Sequence, residues 1–343
     1  MEYGRLLIVN ENEVKSILTM PRVLDLMEHV FVEYGKGRVV NPVKLHLSLR
    51  PHIDGYLNSM PAYLIDSDIM GVKLAGCWKM NTAKDLPTTI GVIVLFFPEN
   101  GVPYAIVDGT FVTAIRTGAI VGLQAKYLAK KNSRVATIIG AGAQGYSSMQ
   151  SLQVALDGLH EVRLVDINPI MIERYLIKAK TEFPDTQYIV INDIQSAVAN
   201  AHVVVSCANA GKPLLQGINF DKGTHVISVS ERIQSTQWLE DTFDLVVTDF
   251  PECFVTRENQ ENLWAAQQTG TKPIELDAEI FDTTLDKIVV KEARGRTTDD
   301  QLVFSATVGM GMEDVIVAQD AYLAAAKKGL GVIVDFMDLQ NFK

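Results

Sequence analysis

RVATIIGAGAQG, residues 134–145, is the stretch whose reading decides the fold. The apolar run VATII breaks abruptly into Gly140-Ala141-Gly142-Ala143-Gln144-Gly145, and a helical pattern follows. Each glycine has its own task in such a strand-to-helix turn. Gly140 permits the tight reversal, Gly142 lets the backbone approach a pyrophosphate, and Gly145 lets the helix pack against the strand. The free N–H groups at the helix start, with Ala143 and Gln144 in its first turn, then meet the phosphate charge. About 20 residues further on, Asp166 ends EVRLVD, where a carboxylate accepts hydrogen bonds from ribose hydroxyls. No arginine follows in DINPIMIE, so the pattern predicts NAD(H) rather than NADP(H), whose 2′-phosphate Asp166 would repel.

Outward from this turn, residues 133–305 alternate helical stretches with the short apolar runs EVRLVDI, YIVI, HVVVSC, HVISVS and LVVTD. Such alternation predicts a parallel sheet with helices on both faces, a Rossmann domain. Residues 1–125 read differently: a helical stretch over 22–34 precedes β-rich runs at 43–50, 71–76, 90–97 and 104–107. In the first of these, Val43, Leu45, Leu47 and Leu49 alternate with Lys44, His46, Ser48 and Arg50, giving one apolar and one polar face. VTAIRTGAIVGLQAKYLAKK (112–131) predicts a helix that carries the chain from the first zone into the second. Gly309, Gly311 and the acidic pair Glu313-Asp314 open a last helix, closed by Lys327-Lys328-Gly329. Packed back onto the first zone, that tail completes a discontinuous domain. The expected class is α/β: a Rossmann NAD-binding domain, 126–308, plus a discontinuous α+β dimerisation and substrate domain, 1–125 and 309–343.

The bulk numbers agree with two folded domains and exclude several partners. At 343 residues the chain exceeds the usual size of one hydrophobic core, and 48% hydrophobic with 21% charged is an ordinary globular mix. A net charge of −10 argues against a nucleic-acid partner, which requires clustered cations. Cys77, Cys207 and Cys253 are far apart, with neither a CxxC spacing nor a histidine pattern for zinc, so no metal is expected and reduced thiols suit a cytoplasmic protein. No apolar stretch reaches the roughly 18 residues of a membrane span, and no export signal is visible.

Three cations stand in apolar surroundings: Lys44 in NPVKLHL, Lys73 in MGVKLAG and Arg116 in VTAIRTGAI. Such side chains are seldom buried without partners, so each calls for an anion, whether a bound carboxylate or an internal ion pair. Arg116 falls near the start of its helix, where a bound carboxylate also meets free backbone N–H groups.

These residues carry a resemblance. SMPAY (59–63), GVKLAG (71–76), TAIRTGA (113–119) with AKYLA, the IIGAGAQG turn, GRTTDDQLVF and GMGMEDV stand in the order of the ornithine cyclodeaminase/mu-crystallin family, which the chain resembles over nearly its whole length. That family includes alanine, arginine and related amino-acid dehydrogenases and ketimine reductases. The resemblance implies a homodimer whose first domain supplies both the dimer sheet and the substrate pocket. It implies that Lys44, Lys73 and Arg116 bind a substrate carboxylate, with Lys73 also near the reacting carbon, and that Thr88 lies near the nicotinamide. Two departures bear on the substrate. Asn58 stands where the cyclodeaminases carry a glutamate, and VSERI offers Glu231 or Arg232 near their distal-amine aspartate. A buried ammonium without carboxylates is costly, and an Arg232 at the distal place would repel it while suiting a carboxylate. The expected activity is therefore NAD-dependent interconversion of an L-amino acid and its imino or keto acid, with a small neutral or dicarboxylic side chain. Ornithine or lysine cyclisation, and a non-catalytic NAD(P)H- or ligand-binding protein like mu-crystallin, are the alternatives.

Overall fold

The structure is a computed structural model that describes residues 3–229, 232–233 and 235–338. The chain begins with β1 (Arg5–Val9), α1 (Glu11–Ile17), α2 (Met20–Gly35), β2 (Val39–Val40), β3 (Leu45–Ser48), β4 (Gly55–Leu64) and β5 (Ile69–Trp78). It continues with β6 (Thr89–Phe96), β7 (Pro103–Asp108), α3 (Gly109–Leu128), β8 (Val135–Ile139), α4 (Ala143–Ala155), β9 (Glu161–Val165), α5 (Pro169–Glu182) and β10 (Gln187–Val190). Then come α6 (Ile194–Val198), β11 (Val203–Ser206), β12 (His225–Ser228), α7 (Thr236–Thr242), β13 (Leu245–Thr248) and α8 (Pro251–Thr269). The last elements are β14 (Thr283–Thr284), α9 (Leu285–Val289), β15 (Val303–Ala306), α10 (Gly311–Lys328) and β16 (Val332–Asp335). Two compact units result, Met1–Arg116 with Gly309–Lys343, and Thr117–Val308.

The first unit is built on a sheet of order β16-β1-β7-β6-β5-β4-β2, with β3 also paired to β4. The β1–β7 pair is parallel and its other pairs are antiparallel. Helix α10 packs along β4, β5 and β6 and against α2. Its first half, GMEDVIVA, is buried at every position, which suits a helix apolar nearly all round. The face of the sheet beneath it carries Met60, Lys73 and Ile93 side by side in register, all buried.

The opposite face is only partly covered. Leu45 and Leu47 of β3 stand beside Ser59 and Leu57 of β4, and across β5 and β6 the same face carries Leu74 and Val92. Leu45 is 72% exposed and Leu47 56%. The alternation read over 43–50 is thus present, but its apolar side points outward while His46 on the polar side is half-buried. A period of two fixes which residues share a face; it does not say which face meets the chain's own core.

In the second unit every strand pairing is parallel, in the order β10-β9-β8-β11-β12-β15-β13-β14. Both faces are covered, one core including Ile139, Val204, Val226 and Phe304, the other Ile138, Leu164, Val205 and Ile227. Double coverage explains why β11 reads as an uninterrupted VVVS, buried throughout. Strand order reverses between β8 and β11, the switch point at which open parallel sheets bind ligands, and the glycine turn leaves the sheet there. Strand β15, which the apolar runs quoted above do not include, sits between β12 and β13.

Candidate active site

Strand β8 ends at Ile139, and Gly140 then takes φ +112°, a left-handed conformation open mainly to glycine. The turn is so tight that a Cβ on Gly145 would lie 1.8 Å from the Gly140 carbonyl oxygen. Gly142 is the N-cap of α4, with no side chain to cap the helix and open space where a Cβ would project. The first N–H groups of α4, on Ala143, Gln144 and Gly145, therefore start a helix whose positive end no side-chain cap covers. Gln144 Oε1 is buried and makes no hydrogen bond.

At the end of β9, Asp166 is fixed by the turn itself. Its Oδ2 accepts the Ala141 N–H at 2.6 Å and its Oδ1 the Asn168 N–H at 2.8 Å. Next to it Ile167 is fully exposed, an apolar side chain beside a charged one. An uncapped helix start, a backbone clear of side chains, a carboxylate and an uncovered apolar group are the donor, acceptor and stacking set a dinucleotide needs, so the residues present fit that cofactor.

In the first unit Lys73 is 1% exposed. Its Nζ lies 2.6 Å from Asp314 Oδ2 and donates to Thr113 Oγ1 at 3.4 Å. Arg116, also buried, stands in the third turn of α3 rather than near its start, and places Nε 2.9 Å from Asp314 Oδ1 and Nη1 2.8 Å from Glu313 Oε2. Burial, and after it the Arg116 charge, bring the Lys73 ammonium down to about 8, against Asp314 and Glu313, which pull it up. Gly309, at φ +73°, makes room for this group, since a Cβ there would stand 2.5 Å from Arg116 Nη1. Asn41 Oδ1 accepts the Met312 N–H at 3.0 Å and so ties down the start of α10, where the two acids sit. An ammonium brought down to about 8 beside a guanidinium has the chemistry to bind a carboxylate and to exchange a proton with a neighbouring nitrogen.

Asn58 lies on the same sheet face as Lys73, and its Oδ1 is 2.8 Å from His46 Nδ1. Lys44 is half-buried just ahead of β3. Thr88 precedes β6, and its carbonyl accepts the Trp78 N–H at 2.8 Å. In the second unit Arg232 is held by α8: Nε is 3.5 Å from Glu258 Oε2, Nη1 3.3 Å from Glu261 Oε2, and Nη2 donates to Asn262 Oδ1 at 2.9 Å. Glu231 lies outside the described residues. Sequence reasoning missed the partnership of Glu313 and Asp314 with the two cations, having read them only as helix-end charges. The signal was present in GMGMEDVIVA, where two adjacent acids stand inside an apolar run. Buried acids require cations just as buried cations require acids.

The sequence pattern of the ornithine cyclodeaminase/mu-crystallin family matches residues 6–329. The chain is 28% identical over 336 residues to the alanine dehydrogenase of Archaeoglobus fulgidus, covering 96% of this chain and 98% of that protein. Delta(1)-pyrroline-2-carboxylate reductase of Thermococcus litoralis, solved with NADH and L-proline, is similar at a TM-score of 0.85 and 26% identity, over 95% of this chain and 99% of that one. An archaeal alanine dehydrogenase dimer with bound NAD gives a TM-score of 0.83 at 26% identity, over 97% and 100% of the two chains. Since the match runs through the GVKLAG strand, the TAIRTGA helix and the glycine turn alike, the chain belongs to the ornithine cyclodeaminase/mu-crystallin family.

Proposed function

We propose that the protein is an NAD(H)-dependent oxidoreductase that interconverts a small L-amino acid and its imino or keto acid. The observation that carries this reading is the buried pair of cations, Lys73 and Arg116, in a chain that also bears an uncapped glycine-turn helix. The alanine dehydrogenase and pyrroline-2-carboxylate reductase relatives support it. A bound nicotinamide supplies or accepts the hydride. In the reducing direction the C=N carbon gains that hydride, the π pair moves to nitrogen, and nitrogen takes a proton. Lys73 polarises the C=N bond and stands as the proton source, regaining its proton from water, while Lys44 and Arg116 hold the substrate carboxylate. Thr88 is assigned to the nicotinamide end on family position.

Asp166 favours NAD(H) over NADP(H), because its charge would oppose a 2′-phosphate. Asn58 offers an amide rather than a carboxylate, and Arg232 already faces Glu258 and Glu261. A small neutral side chain, as in alanine or proline, is therefore the preferred substrate class. The exposed face carrying Leu45, Leu47 and Leu74 supports a homodimer, as in the archaeal alanine dehydrogenase dimer. No helix among the described residues is long and apolar enough to cross a membrane, and the three cysteines are free, which suits a cytoplasmic setting.

NADH oxidation with Δ1-pyrroline-2-carboxylate, with pyruvate plus ammonia and with oxaloacetate plus ammonia tests this reading, set against NAD reduction with ornithine and lysine. Turnover of the first two is expected. Silence with all of them, or activity confined to ornithine and lysine, would overturn it.

A further inference from the structure

We propose that Asp314 is a positioning residue for the chemical step, bridging Lys73 and Arg116 from the first turn of α10 so that Lys73 stays protonated and aimed. The proposal rests on the reading of Lys73 given above, and it follows from charge and geometry within one unit. The charged groups facing Lys73 are Arg116 on α3 and Glu313 and Asp314 on α10, while β4 and β6 present Met60 and Ile93 beside it. Two cations against two carboxylates balance, which is what allows four ionised groups to stay buried together.

Within that set the two acids are not equivalent. Glu313 meets Arg116 at 2.8 Å, whereas Asp314 spans both cations, at 2.6 Å from Lys73 and 2.9 Å from Arg116, and is 0% exposed. Without Asp314, Lys73 would keep the Arg116 charge beside it and lose its nearest anion, so it would surrender its proton at a lower pH. It would also lose the contact that, with Thr113, fixes the direction of Nζ. A neutral, loosely held lysine neither polarises the C=N bond nor supplies a proton to it.

The test compares the wild type with Asp314→Asn, Asp314→Glu and Glu313→Gln, following kcat and KM for NADH-dependent reduction of Δ1-pyrroline-2-carboxylate between about pH 4.5 and pH 10. In the wild type, kcat is expected to fall as pH rises through about 8. Asp314→Asn should move that alkaline limb down by about 1–3 pH units. Its loss should fall on kcat more than on KM, and Asp314→Glu should restore the wild-type limb at a reduced kcat. Glu313→Gln should move the limb less and raise KM more, because its contact is with Arg116. A folded Asp314→Asn enzyme with an unmoved limb would overturn the proposal. If that variant does not fold, Asp314→Glu decides, since wild-type kcat in it would equally deny a positioning role.

Melting temperature against pH reports on the same contact without turnover. A lysine at about 8 in the folded chain and 10.5 in the unfolded one binds fewer protons when folded, so stability rises with pH between those values. Asp314→Asn should push the lower edge of that window down. If the wild type reduces no substrate, the proposed activity fails. An edge that moves even then still identifies Asp314 as the group that holds the Lys73 proton, and an edge that stays put in a folded variant refutes the proposal.

Discussion

Lys73 owes its chemistry to where a single side chain ends. On an exposed strand its ammonium would titrate with ordinary lysines; at 1% exposure beside Arg116 it is brought to about 8. In its proposed role Lys73 polarises the C=N bond, so Lys73→Ala should lower kcat by about 10²–10⁴-fold. NADH should still bind, because the glycine turn keeps all of its groups; stopped-flow turnover with parallel NADH titration checks both parts. Asp166 is a second residue-scale case. Its two oxygens are already held by the Ala141 and Asn168 N–H groups, so its position is set by the turn. Asp166→Ser should narrow the preference for NADH over NADPH by about tenfold or more, read from the two dissociation constants. Tighter NADPH binding by the wild type would refute the assignment.

At the scale of elements, the turn between β8 and α4 is the most constrained piece of the second unit. A methyl group on Gly145 would meet the Gly140 carbonyl at 1.8 Å, and that contact yields only if helix and strand part. Gly145→Ala should cost about 1–3 kcal/mol of stability and weaken NADH binding together, seen as a lower melting temperature and a raised dissociation constant. Helix α10 is the corresponding element of the first unit. It brings Glu313 and Asp314 under the sheet at the level of Lys73. Its sequence announces a helix start, with two acids where the dipole favours them, but the same two residues also answer the buried cations. A local reading accounts for the first role alone, because the second depends on contacts nearly 200 to 240 positions apart along the chain, about the reach only a folded core provides.

For the whole molecule, the telling feature is a sheet face left only partly covered. Leu45, Leu47, Leu74 and Ile90 are exposed in the single chain, and a soluble monomer seldom presents so continuous an apolar surface. Joint replacement, Leu45→Lys with Leu47→Lys, should therefore convert the proposed homodimer into monomers of unchanged circular dichroism. Sedimentation velocity checks this, and a wild-type protein that sediments as a monomer at micromolar concentration would refute the dimer.

By itself the sequence determined the parts of this protein that are local. The glycine turn, the Asp166 that follows it and the alternation of apolar strands with helices are written in neighbouring residues, because tight turns, helix starts and strand periods are short-range steric and hydrogen-bonding requirements. The tertiary structure alone decided the long-range matters. It joined Lys73 and Arg116 to Glu313 and Asp314, gave Arg232 the acids of α8, inserted β15 into the middle of the parallel sheet, and turned the apolar side of β3 outward. Each of these depends on which distant surfaces meet, and a buried charge or an apolar face states only that a partner is required, not which residue supplies it.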